Sequence, residues 1–112
     1  GPARFEWVAL DESVQWAAFQ RLVHLLRERG NEVLVIVGPF NEHMIVPEQR
    51  PTFHGLRDGI AAWLASERIP FIVPPTLASD LYADASHPLT AGYAALARQI
   101  SQDQTFRNWL AK

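Results

Sequence analysis

No cysteine occurs among the 112 residues. That one absence excludes disulfides, cysteine-based zinc sites and a thiol nucleophile, and it leaves the compartment open. Long hydrophobic runs are missing too. Nothing approaches the roughly 20 apolar residues of a membrane-spanning helix, so no membrane span is expected. Charge of one sign is also lacking: 10 Lys and Arg stand against 12 Asp and Glu, for a net charge of -2. The basic residues are scattered, which argues against nucleic acid or an anionic membrane surface as partner. Neither a G-x-G-x-x-G nor a Walker loop is present, which disfavours nucleotide chemistry, and no cofactor is expected. The four histidines show no H-x-x-x-H spacing, so no metal site is expected.

What is present is an ordinary globular balance, with 48% hydrophobic and 20% charged residues. A chain of this length makes one small domain with little stability to spare. Gly1-Pro2 resembles a protease-cleavage scar, and if it is one the natural N-terminus lies elsewhere. "RFEWVAL" (Arg4 to Leu10) alternates like a strand, and Asp11 is the expected N-cap of a helix from Glu12 to Arg29. On that helix Val14, Ala18, Leu22 and Leu25 recur at helical spacing, and Trp16, Phe19, Val23 and Leu26 widen the stripe expected to pack inward. Gly30 is the expected stop. "VLVIV" (Val33 to Val37) reads as a strand buried on both faces. A turn-rich loop follows, then a helix opened by Pro51, a short strand in "PFIVPP", a second loop, and a helix with Tyr93, Leu96, Ala97 and Ile100 inward. "DQTFRNWLAK" adds a last helical turn or two. The order β-α-β-α-β-α predicts a parallel sheet covered on both faces, with about three strands visible.

Ligands in open α/β sheets bind beyond the carboxyl ends of the strands. Two polar loops are placed there, Gly38 to Pro47 and Pro74 to Leu89. The second holds "DLYADASHPLTAGYAALARQI", in which Asp84 and His87 stand three residues apart. On a helical turn that spacing lets the side chains meet. A carboxylate on one ring nitrogen would fix the imidazole tautomer and leave the other nitrogen to take a proton from a hydroxyl. Pro88 is expected to start the next helix. The bland reading is that Asp84 or Ser86 caps that helix and His87 is an ordinary loop histidine.

This block resembles the last motif of the SGNH (GDSL-type) serine hydrolases, where a D-x-x-H-P turn followed by Gly-Tyr and an apolar helix supplies the triad's Asp and His. Pro88, Gly92, Tyr93 and the run Ala94 to Ile100 fall at matching places. The similarity covers roughly residues 12 to 102, with only the D-x-x-H-P block specific. It implies a three-layer α/β/α, flavodoxin-like fold of the SGNH type, incomplete here, with Asp84 orienting His87 and His87 acting as general base. The family's nucleophile lies in a G-D-S block after the first strand, and no such block occurs. Ser13, Ser66, Ser79, Ser86 and Ser101 all lack a strand-to-helix elbow. "GPFNEHM" resembles the family's G-x-N-D block but is one residue too long.

Residues 1–112 therefore read as a single domain or as the C-terminal half of an SGNH-like domain. The expected function is a segment of a serine esterase or acyltransferase whose Ser lies outside the chain. Its substrate would be a small-molecule, glycan or lipid ester. Asn41 and His43 are candidate substrate-binding residues, with turn formation the plainer role for Asn41 and a solvated loop position the plainer one for His43. Trp7, Trp16, Trp63 and Trp109 read as core. The rival expectation is a non-catalytic α/β binding or assembly module. Either way an incomplete sheet should expose a strand edge, which points to a homodimer or a missing N-terminal segment.

Overall fold

The computed structural model describes residues 1–112. It corrects the expected three-layer architecture. Helical conformation takes 57% of the chain, and only two short strands pair. The elements run α1 (Val14–Glu28), β1 (Val35–Ile36), α2 (Arg50–Ser66), β2 (Phe71–Ile72), α3 (Thr90–Gln102) and α4 (Gln104–Leu110), with 3-10 turns between them. β1 and β2 are parallel, Val35 opposite Phe71 and Ile36 opposite Ile72, and α2 is the crossover between them. The smallest dimension is 18 Å. A helix with its side chains is about 10–12 Å across, so such a slab holds two packed layers rather than three.

The expected first strand is not a strand. Ala3 makes one parallel bridge to Ile45, and the backbone beyond it finds a side chain instead of a ladder. Phe5 N–H donates to Gln49 Oε1 at 2.8 Å, and Gln49 Nε2 donates back to the Phe5 carbonyl at 2.8 Å. One amide thus satisfies both backbone groups, which removes the need for a neighbouring strand. Phe5 and Trp7 then pack onto Phe40 and Phe53, with ring centroids 5.2–5.9 Å apart. The far edge of β1 is left without a partner strand. Nor is the "VLVIV" run buried on both faces: Ile36 is exposed.

α1 begins two residues later than expected. Ser13, not Asp11, is its N-cap, accepting from Trp16 N–H at 3.1 Å. Gly30, at φ +84°, ends the helix in the left-handed conformation that glycine adopts without penalty. The packed face carries Phe19 and Val23, which meet Leu64 and Ile69 below α2 in the one contiguous core. Val14, Leu22 and Leu25 are exposed, contrary to expectation, so α1 is apolar on two faces and buries one. In α3, Gly92 and Leu96 are the buried positions, whereas Tyr93 and Ala97 face solvent. The expected last turn is α4, capped by Asp103, which accepts from the N–H groups of Thr105 and Phe106. No helix is long and apolar enough to cross a membrane.

Candidate active site

Both strands end in polar loops on the same side of the sheet, since they run parallel. After β1, Gly38 takes φ +111°, and the chain turns through Phe40 and Asn41 into a 3-10 turn over Glu42–Met44. After β2 the chain reaches a 3-10 turn over Ser79–Leu81, then a short antiparallel bridge between Tyr82 and Pro88. Ala83 N–H donates to the His87 carbonyl at 2.8 Å, which closes the intervening loop at its base. Asp84 and His87 therefore sit on a tight bend rather than on a helical turn. Pro88 lies in the bridge, and α3 starts at Thr90.

Gly92 presses α3 against this bend. A β-carbon there would run into the Leu81 carbonyl and come within 2.9 Å of the Pro88 Cβ, so no other residue fits without displacing the turn. Tyr82 ties the bend to both loops: its hydroxyl accepts from Leu77 N–H at 3.1 Å and donates to the Phe40 carbonyl at 3.3 Å.

The Asp84 carboxylate organises the bend. Oδ1 accepts from Ser86 N–H at 2.9 Å and from His87 N–H at 2.8 Å. The His87 ring meets the same carboxylate through Nδ1, 2.9 Å from Oδ1 and 3.0 Å from Oδ2. The Ser86 N–H bond, then the His87 ring, hold the Asp84 carboxyl below its ordinary value, and His87 N–H adds to this. With two carboxylate oxygens around Nδ1, the proton belongs on that nitrogen and the Nε2 lone pair faces out. Nε2 has no partner in the chain. Ser86 Oγ lies 3.3 Å from Nδ1, the nitrogen already committed to Asp84, so it is not placed to give its proton to Nε2. Both side chains are open, 57% exposed for Asp84 and 68% for His87, and neither lines a cavity.

Asn41 belongs to the same assembly. It is 5% exposed, its N–H donates to the Ala85 carbonyl at 2.8 Å, and its Nδ2 reaches the Asp84 carbonyl at 3.5 Å. Its Oδ1 is buried without a partner. His43 is exposed and donates through Nε2 to the Leu77 carbonyl at 3.0 Å, away from the Asp84–His87 pair.

A second imidazole–carboxylate pair went unread in the sequence. His54 Nε2 lies 2.5 Å from Glu42 Oε1, the Thr76 hydroxyl donates to Glu42 Oε2, and Arg57 stands 3.9 Å from that oxygen. Partial burial works to raise the Glu42 carboxyl. The Thr76 and His54 hydrogen bonds and the charges of His54 and Arg57 outweigh it and hold the group below its usual value. These residues come from three segments, and no local spacing announces them. His43, Arg50, His54 and Thr76 line an open polar cleft over Glu42. No group of three or more His, Cys, Asp or Glu side chains is arranged to hold a metal ion.

No family model matches the chain, and no match is found among curated proteins or solved structures.

Proposed function

We propose that the chain supplies the Asp–His part of a serine-type esterase or acyltransferase, with the nucleophilic Ser contributed from outside these residues. The observation that carries the reading is the orientation of His87: Nδ1 held by Asp84 and Nε2 open. In this reading a serine hydroxyl approaches Nε2 and attacks the ester carbonyl. Nε2 takes the hydroxyl proton as the new C–O bond forms, then returns it to the leaving alcohol as the acyl–oxygen bond breaks. Asp84 stabilises the imidazolium between these events. The resemblance of the D-x-x-H-P block to the SGNH hydrolases supports the same assignment.

One observation favours the non-catalytic reading, a binding or assembly module. Asp84 Oδ1 already has a structural task in closing the bend on Ser86 and His87. Fluorophosphonate labelling followed by intact mass separates the two, on this chain and on the longest natural form. A single adduct on the long form only, lost in His87→Ala, is the expected result. An adduct on the short chain would place the nucleophile inside it, against the proposal. No adduct on either would leave Asp84 and His87 as a capped turn.

A further inference from the structure

β1 is an edge strand with the sequence of a central one. Val35 N–H donates to the Pro70 carbonyl at 3.0 Å and Val37 N–H to the Ile72 carbonyl at 2.9 Å, so both point toward β2. Backbone groups alternate in direction along a strand. Leu34 and Ile36 therefore turn their N–H and C=O groups the other way, where no strand pairs with them. Native edges are normally blunted by Lys, Pro, a bulge or a covering element. From Val33 to Val37 there is no charge and no proline, and Ile36 is 37% exposed. An unbroken apolar run of this kind belongs to parallel strands with neighbours on both sides.

α1 stands beside this edge. Trp16 and Phe19 line an apolar groove of about 260 Å³ together with Val35 to Gly38 and Ile60 of α2. The Trp16 and Trp63 rings are 5.2 Å apart and Val23 meets Leu64, so α1 and α2 cover the same face of the sheet. Crossovers between parallel strands share one hand, and two of them on one face step in the same direction. α2 carries the chain from β1 to β2. With α1 as the preceding crossover helix, the strand before it falls on the open edge of β1. Within these residues the segment ahead of α1 is engaged elsewhere, Phe5 by Gln49 and Phe40, and Trp7 by Phe53.

We propose that the open edge of β1 docks a strand running parallel to it, supplied by polypeptide upstream of these residues. The docked strand pairs with the outward N–H and C=O groups of Leu34 and Ile36 and is apolar on the side facing Trp16 and Phe19. A second copy fits the edge poorly. A two-fold pairing of the β1 edges keeps both α1 helices on one face, over two strands about 4.8 Å apart, whereas packed helices need about 8–10 Å. The site does not rest on the Asp84–His87 reading, and amide exchange tests it apart from any labelling of a nucleophile.

The test is amide hydrogen exchange, read residue by residue by NMR, on this chain and on the longest natural form. In this chain Val35 and Val37 should be protected, with Leu34 and Ile36 open; in the longer form all four should be protected. Ile36→Pro removes only the outward N–H, because the bonds to β2 come from Val35 and Val37. It should lower the Tm of the longer form by a few degrees more than that of this chain. Leu34→Pro is the second variant should Ile36→Pro not fold. An open Ile36 amide in the longer form would overturn the proposal, as would equal Tm losses in the two forms. Protection of Ile36 in the dilute short chain would mean that an internal segment covers the edge, and protection that rises with concentration would name a second copy; either overturns it. A natural form that adds no strand upstream would do the same.

Discussion

Asn41 donates its backbone N–H to the Ala85 carbonyl at 2.8 Å, and this bond ties the loop after β1 to the bend that carries Asp84 and His87. The side chain contributes less. Its Nδ2 contact to the Asp84 carbonyl is long, at 3.5 Å, and its Oδ1 is an unpaired buried acceptor. Any residue except proline keeps the backbone bond. Asn41→Ala should therefore change stability by no more than about 1 kcal/mol, since it gives up one weak hydrogen bond and removes one orphan oxygen. Asn41→Asp should be far worse, about 3 kcal/mol or more, because it puts an uncompensated carboxylate beside a carbonyl. Urea midpoints of the two variants measure the difference. Comparable losses would show that the amide itself holds the loops together.

Asp84 gives the bend a defined acid response. Its folded carboxyl lies below the ordinary value because of the Ser86 N–H and the His87 ring. A depressed carboxyl contributes fully above the unfolded value, about 3.9, and the contribution fades as pH falls through the lower folded value. The amide resonances of Ser86 and His87 should accordingly titrate together below about pH 4. In Asp84→Asn that acid transition should vanish from both signals. A midpoint at or above the ordinary value would mean that the carboxylate is not bonded as described.

The order of helices and paired strands was readable in the residues, but the three-layer architecture expected from it was wrong, since only two short strands pair. The helix opened by Pro51 and both paired strands follow from spacing and turn chemistry alone, whereas the contact between Asp84 and His87, expected on a helical turn, forms on a tight bend. The segment Arg4 to Leu10 alternates as a strand would, but alternation cannot announce that Gln49 will take both polar groups of Phe5. The Glu42–His54–Thr76 cluster is equally silent, because its partners are 12 and 34 residues from Glu42. α1 fails differently: it has two apolar stripes, and periodicity does not say which one the rest of the chain covers.

Mutation separates the two stripes. Val23 is 2% exposed and contributes to the core with Leu64 and Ile69. Val23→Ala should cost about 2 kcal/mol, from lost transfer energy and the cavity left behind. Leu22 and Leu25 are 52% and 42% exposed, so Leu22→Lys or Leu25→Lys should change stability by only about 0.5 kcal/mol. Thermal melts at low protein concentration compare the three directly. A large loss in either lysine variant would mean that the outer stripe is covered in solution.

The last prediction concerns the end of α2. Ile69 N–H donates to the Leu64 carbonyl at 2.9 Å and Arg68 N–H to the Ala65 carbonyl at 3.1 Å, the paired bonds of a Schellman ending. Leu64 and Ile69 then pack together in the core, the hydrophobic contact that accompanies this motif. The motif requires a left-handed residue between them, and Arg68 fills the place at φ +56°. A side chain there brings its β-carbon against the following carbonyl, a penalty of roughly 1–2 kcal/mol that glycine avoids. Glycine also loses more backbone entropy on folding, about 0.5–1 kcal/mol, which offsets part of the gain. Arg68→Gly should therefore stabilise the chain by about 0.5–1 kcal/mol, whereas Gly30→Arg, the reverse change at the matching end of α1, should destabilise it. A shift of Tm by a few degrees in opposite directions is the expected result. Loss of stability in both variants would show that Arg68 makes contacts worth more than the relief of its backbone.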